Sequence, residues 1–255
     1  MRLLTYNIHK GIGGRDRLYR FERVLDVIEA ENPDLVLLQE VDSGVRRSRF
    51  HDQPVLFVEQ LAAHTGLFQL NVSLKDGGYG NLLLSRWPVP WHRTVDLRMS
   101  VKKPRAAQVA RIASPEGDVV VVNYHLGLAE IERRWQVQKL LADPDMVALQ
   151  GLPMIIAGDT NDWRNQLEPK VYGPAGFAQV TRPPAKFRSF PAYMAMGSLD
   201  KVFVRGPIHV RSARIVRSAL TRDASDHLPL VVDFHLDAQE ALLRDDLYRG
   251  SATEA

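Results

Sequence analysis

Met154-Ile155-Ile156-Ala157-Gly158-Asp159-Thr160-Asn161-Asp162 is a short apolar run that passes directly into an acid and an amide. The run reads as a buried strand that delivers Asp159 and then Asn161 onto a loop. Side chains at i and i+2 of an extended segment point the same way, so these two are expected to act as one unit. A carboxylate beside a neutral amide suits a site that holds a hard cation, a phosphate oxygen and a nucleophilic water. A Gly/Asp/Asn turn closing a strand is the competing, purely structural reading. What separates the two is whether other strands of the chain end in the same manner.

Apolar runs with strand length and β-branched content recur at 2–8, 34–41, 67–73, 81–85, 107–113, 118–124, 153–158, 199–204, 208–216 and 228–236. Helical spacing occurs at 18–31, where Phe21, Val24, Leu25 and Ile28 share a face, and at 54–64. It occurs again at 129–142, where Ile131, Trp135, Gln138 and Leu141 fall on one side. Pro33 closes the first helix before the next strand. Strands outnumber helices, and most connections are too short for a parallel crossover. The expected class is α+β: a four-layer α/β/β/α sandwich of two mixed, mostly antiparallel sheets with helices on both outer faces. One catalytic domain is expected over 1–236, with 237–255 a C-terminal helix near 238–247 or a frayed tail.

The 255 residues are 45% hydrophobic and 25% charged, which supplies ample core. There is no run of membrane-spanning length and no signal-peptide pattern at the start, which implies the cytoplasm. The absence of cysteine excludes disulfides, thiolate catalysis and cysteine-ligated metal centres. Any metal must therefore sit on oxygen and imidazole ligands. A net charge of +3 fits a polyanionic substrate, or a peripheral position at the anionic inner membrane surface. No obligate protein partner is evident.

Other strands do end in polar residues that a structural strand does not need. The run 2–8 carries Asn7, followed by His9-Lys10-Gly11, and 34–38 leads into Gln39-Glu40. The run 118–124 ends at Asn123-Tyr124-His125, and Ser225-Asp226-His227 precedes 228–232. Asp200 lies inside an apolar run, where a carboxylate costs several kcal/mol unless paired, about the penalty of one buried ion. His227 and His125 are the available partners. Each residue alone has an ordinary reading as a turn, cap or surface group. Six such coincidences are less economical than one shared site at the rim of a sandwich.

In this order, the segments resemble the endonuclease/exonuclease/phosphatase superfamily. The matching pieces are Thr5-Tyr6-Asn7-Ile8-His9-Lys10-Gly11, Pro33 to Val41, Tyr79 to Pro88 with Asn81, and His125-Leu126-Gly127-Leu128. Gly158 to Trp163, Ser198-Leu199-Asp200 and Ser225-Asp226-His227 complete the set. The first piece, and His125 to Leu128 with the Arg-rich segment Glu132-Arg133-Arg134-Trp135-Gln136, look closest to a bacterial subgroup encoded beside cardiolipin synthase. Two departures stand out. Thr160 replaces the usual Phe between the aspartate and asparagine, at a position expected to face away from the site. The acid that steadies the first histidine in deoxyribonuclease-like members has no clear counterpart.

The resemblance implies hydrolysis of a phosphate ester by an activated water with Mg²⁺ or Mn²⁺. Glu40, Asn7 and Asp226 are the implied metal ligands. His227 takes the proton of the attacking water or binds a phosphate oxygen, and Asp200 orients it. Asp159 orients or deprotonates the water, Asn161 donates to a non-bridging oxygen, and His125 serves the phosphate or leaving group. Asn81, Arg105, Arg134 and Trp163 are the candidate substrate-binding residues; Arg133, Lys102 and Lys103 are further cations able to grip phosphate. Tyr193, Met194 and Met196 form a candidate apolar lip. Substrates left open are nucleic acid, a phospholipid or another small phosphodiester, and a phosphomonoester. A non-catalytic phosphate- or lipid-binding module is the alternative from a different class.

Overall fold

The computed structural model describes residues 1–61 and 65–237. Its strands among these residues are β1 (Arg2–Asn7), β2 (Leu35–Ser43), β3 (Thr65–Ser73), β4 (Gly78–Ser85), β5 (Trp91–Asp96) and β6 (Ala106–Ser114). They continue as β7 (Gly117–His125), β8 (Met154–Asp159), β9 (Ala178–Gln179), β10 (Asp200–Arg205), β11 (Ile208–Ile215) and β12 (Leu230–Leu236). The α-helices are α1 (Phe21–Glu31), α2 (Gln53–Gln60), α3 (Glu130–Leu141), α4 (Pro144–Ala148) and α5 (Ala219–Ala224). The strands form two six-stranded sheets, ordered β11-β12-β1-β2-β4-β3 and β5-β6-β7-β8-β10-β9.

Alternation along each strand builds the layers. Leu3, Leu35, Leu37 and Leu83 meet Ala110, Ile112, Val119 and Val121 in the core between the sheets. Their neighbours Leu4, Val36, Leu38 and Leu84 pack instead with Phe21, Val24 and Phe57 of α1 and α2. Val120, Val122 and Ile156 pack with Val137 and Leu140 of α3. The four-layer α/β/β/α sandwich follows. Each expected strand segment lies on an observed strand. The unforeseen β5 is a largely exposed edge strand without apolar alternation, and β9 is only two residues long.

The third helix buries a different face from the one its apolar spacing suggests. Ile131 is 72% exposed, whereas Glu132, Arg133, Gln136, Val137 and Leu140 are buried. Polar contacts decide its orientation: Gln136 accepts from Gly127 N (2.9 Å) and donates to Leu97 O (3.1 Å). The first helix ends at Asn32 in a left-handed C-cap, just before Pro33. The helix expected near 238–247 lies outside the described residues, as do 62–64 of the expected 54–64 segment.

Each sheet holds one parallel pair, β1–β2 and β7–β8, and its other pairs are antiparallel. The four parallel strands bring their C-terminal ends to one edge. Because β10 runs antiparallel to β8, and β12 to β1, those two strands begin where the first four end. His125 pairs with Asp159 and Asp159 with Asp200, so three site candidates lie in one row across the sheet.

Beneath this edge the sheets are stitched by buried amides. Gln39 Nε2 donates to Asn123 Oδ1 (2.8 Å), and Asn123 Nδ2 reaches Gln108 Oε1 (2.9 Å), Leu38 O (3.1 Å) and Leu82 O (3.2 Å). Asn123→Leu would remove the donor to Gln108 Oε1 and the bonds to Leu38 O and Leu82 O, while Gln39 Nε2 keeps Thr5 Oγ1 and Leu37 O; a buried group left unsatisfied costs roughly 1–3 kcal/mol. Urea unfolding is expected to show a loss of about 3 kcal/mol or more. A loss within experimental error would mean that the network contributes nothing net.

Candidate active site

The edge opens into a cleft of about 450 Å³. Asn7, Glu40, His125, Asp159, Asn161 and His227 line it, together with Arg105 and Asp226. His9, Lys10, Lys102, Lys103 and Glu132 line it as well. Asp159 Oδ2 is its centre. Asn7 Nδ2 donates to that oxygen at 3.0 Å, and His125 Nε2 and His227 Nε2 stand at 3.3 and 3.6 Å.

Asp159 and Asn161 converge, but not by strand alternation. The strand stops at Asp159, Asn161 has φ 50°, and its N–H donates to Asp159 Oδ1 at 2.9 Å. This Asx-type turn supplies what extended geometry would not. Asn161 Nδ2 spends one hydrogen on Leu126 O (3.0 Å), leaving its second hydrogen available. Gly158 permits the approach: at φ 144°, a Cβ there would lie 2.0 Å from Tyr124 O. Thr160 turns away from the cleft, and its hydroxyl donates to Leu199 O (2.6 Å). Lys201, fully buried, bonds Ser198 O and Asp162 O and ties this loop to β10.

Glu40 reaches the cleft through a bulge. The β2–β4 register slips between Gln39 and Val41, and Glu40 takes φ 58°. Bulges re-aim side chains in this way, and no feature of Gln39-Glu40-Val41 announces it. Lys10, in a left-handed turn with His9, places its ammonium on Glu40 Oε2.

Asp200 lies behind His227, fully buried, and accepts from its Nδ1 at 2.8 Å. Burial disfavours a charged ring, but Asp200 and Asp159 outweigh it and hold His227 up to about 10. At neutral pH the ring is therefore held as an imidazolium. Burial, with Asp200 nearby, raises Asp159 to about 6 against the pull of His227. Burial, helped by the charge of Arg105, lowers His125 well below its usual range. His125 Nδ1 is 3.9 Å from Glu40, so its nearest acids are Glu40 and Asp159 and not a dedicated partner.

Not every candidate reaches the cleft. Asn81 is buried behind it; its Nδ2 donates to Ala106 O (3.3 Å) and it touches no acid. Arg134 is half-buried on α3 and does not line the cleft. The neighbouring Arg133 is the buried one, on Gly127 O (3.4 Å) and Leu128 O and 3.9 Å from Asp162. Helix rotation, set by Gln136, exchanges the two. Trp163 is 52% exposed at the rim, edge-on to Phe190, which in turn lies against His227. Sequence reasoning named neither Lys10 nor Glu132 as a site residue, although both stand inside quoted motifs.

The oxygen donors fit a hard divalent cation. Among the described residues no three His, Asp or Glu side chains cluster closely enough to hold an ion alone. Mg²⁺ requires only one or two carboxylates and keeps several waters. Glu40 with Asn7 provides that set, Asp226 stands on the same cleft wall 3.8 Å from His9, and the Lys10 ammonium shows that a cation is accommodated at Glu40. Burial works against the charge of Glu40, yet Lys10 and His125 lower it below the usual carboxylate range.

A two-sheet sandwich whose polar strand ends meet in an Asp–His cleft is the architecture of a hydrolase-like site, and similarity to known proteins names the class. The chain belongs to the Endonuclease/Exonuclease/phosphatase family, whose model matches residues 4–227. Members of this family are phosphoester hydrolases, generally metal-dependent. The chain is 29% identical over 245 residues to the uncharacterized protein YbhP of Escherichia coli K12, covering 92% of this chain and 96% of that one. An endonuclease/exonuclease/phosphatase structure from Beutenbergia cavernae aligns with TM-score 0.74 at 26% identity, over 92% of this chain and 71% of that one. The human Nocturnin catalytic domain, solved with a sulfate anion, aligns with TM-score 0.73 at 23% identity, over 93% and 94%.

The charge state of His227 is testable through stability. Its ordinary value of 6.5 rises to about 10 in the fold, so the folded state binds the proton more tightly. The stabilisation is complete below pH 6.5 and is lost as pH climbs through about 10. The gap in melting temperature between wild type and His227→Gln is therefore expected to narrow from pH 6.5 to 10. A gap that stays constant across that range would show that His227 is not held as a cation.

Proposed function

We propose that the protein is a metal-assisted phosphodiesterase that drives a water onto phosphorus at Asp159. The observation that supports this best is the buried row Asp200–His227–Asp159, a cation between two carboxylates with one acid open to the cleft. Above about pH 6 Asp159 is ionised and can orient a water and take its proton. The His227 imidazolium, and the second amide hydrogen of Asn161, donate to non-bridging oxygens as charge builds on them. His125, neutral and 3.3 Å from Asp159, hydrogen-bonds the leaving oxygen, which receives the proton that Asp159 took from the water. Asn7 holds Asp159 Oδ2 in place at 3.0 Å. Glu40, with Asn7 and Asp226, would hold Mg²⁺ or Mn²⁺, whose chemistry is to polarise the phosphoryl group and offset its charge.

A screen of the purified protein against bis(p-nitrophenyl) phosphate, plasmid DNA, abasic oligonucleotide, RNA and phospholipid vesicles tests the reading. Turnover is expected with Mg²⁺ or Mn²⁺ and is expected to vanish after exhaustive EDTA treatment; full activity in EDTA would refute the metal assignment. Asp159→Asn and His227→Gln should each lower kcat by about 10²-fold or more, the usual size of an acid–base contribution. Near-wild-type turnover in either variant sinks the assignment. The rate should also fall as pH drops through about 6, where Asp159 gains its proton.

A further inference from the structure

One buried cation on the cleft wall makes no direct ion pair among the described residues, although Asp159, Glu40 and Glu132 act on it through space. Arg105 is 5% exposed and lines the cleft. Its Nε is sealed from solvent without a hydrogen-bond partner. Among the described residues its guanidinium makes no hydrogen bond and no ion pair; Asp159 and Glu40 act on it only through space. Those two acids are engaged elsewhere, Asp159 with Asn7 and Asn161 and Glu40 with Lys10. The backbone around Arg105 is fixed: Leu97 N donates to its carbonyl (2.9 Å) and Asn81 holds Ala106 O. An unpaired buried charge is costly until an anion meets it.

The wall beside it is also positive. Lys103, Arg47 and Lys10 stand 5.0, 5.1 and 5.6 Å from the centre of the Tyr79 ring. Arg47 is neutralised by two hydrogen bonds to Asp42, and Lys10 by Glu40. Lys103, at the cleft mouth, has no ion-pair partner among the described residues. Arg105 and Lys103, with the exposed Lys102 beside them, therefore stand in the cleft without a direct ion pair among the described residues.

The geometry points to a second anion subsite, in which Arg105 and Lys103 hold a phosphoryl group of the substrate other than the one at Asp159. The preferred substrate is then a small molecule bearing two phosphoryl groups. The positive charge is short and local, and a cleft of about 450 Å³ is of small-ligand size. Elsewhere the cleft is lined by Glu132, Asp226 and Leu128, so the basic wall does not extend around it as a polynucleotide would require. The first group's identity rests on the hydrolase reading; the subsite itself rests on Arg105.

Calorimetric titration of the full chain, with and without Mg²⁺, separates the two. The probes are methylphosphonate and the α,ω-alkylene bisphosphonates with one to four methylenes. At least one bisphosphonate is expected to bind about tenfold or more tighter than methylphosphonate, since a second contact acts intramolecularly. Lys103→Ala, at an exposed position, and Arg105→Met are each expected to remove most of that advantage. Equal binding of mono- and bisphosphonates, or a full advantage retained in either variant, overturns the subsite. A short oligonucleotide that outbinds every bisphosphonate, with steep salt dependence, overturns the commitment to a small substrate. If the bisphosphonate advantage holds while bis(p-nitrophenyl) phosphate is never cleaved, the subsite stands and the hydrolase reading falls. Cleavage without the advantage reverses that outcome.

Discussion

The hydrogen bond from His227 Nδ1 to Asp200 Oδ2, 2.8 Å long and closed to solvent, is the constraint around which the site is built. Asp200 is fully buried at the start of β10, where an unpaired carboxylate is costly. The partner it takes is a histidine that also faces Asp159 at 3.6 Å. One cation thus serves two acids, and the acid nearer the cleft is the one raised toward neutrality. The roles proposed for Asp159 as base and His227 as cationic donor rest on this arrangement, not on residue type.

The fold serves that bond through strand direction. Two parallel pairs, one in each sheet, carry Asn7, Glu40, His125 and Asp159 to a common edge. Antiparallel neighbours return to the same edge with Asp200 and His227. The buried amides of Gln39, Asn123 and Gln108 fix the spacing of the sheets just below. A shift of one sheet against the other would separate Asn7 from Asp159, whose 3.0 Å bond spans 152 positions of sequence. Core packing and chemistry are in this respect one requirement.

Arg105 is a different kind of feature. The stabilising groups around it are all committed, and its charge is left facing the cleft. A structural arginine, such as Arg47 on Asp42, finds its carboxylate within the fold. The contrast between these two arginines is the ground for reading Arg105 as a ligand-binding residue.

Much of the protein was legible in the chain itself. Strand-length apolar runs, several of them ending in Asn, Glu, His or Asp, point to a sandwich with polar strand ends, because apolar alternation and the cost of burying a lone carboxylate are local facts. That Asp200 needs a histidine partner was foreseeable on that ground, with His227 and His125 both available; the fold selects His227. What the chain could not disclose depends on contacts between distant segments. The bulge that turns Glu40 inward, the turn that brings Asn161 to Asp159, and the rotation of α3 that buries Arg133 and leaves Ile131 exposed are such cases. Asn81 reads as a rim residue and lies behind the cleft; Arg105 reads as one cation among several and is the buried one of the cleft cations that make no ion pair among the described residues. Sequence determined which groups are present and that they must be paired or hydrated. Only the tertiary structure decided which pairs form, because pairing is settled by strand register and helix rotation, and these depend on the whole core at once.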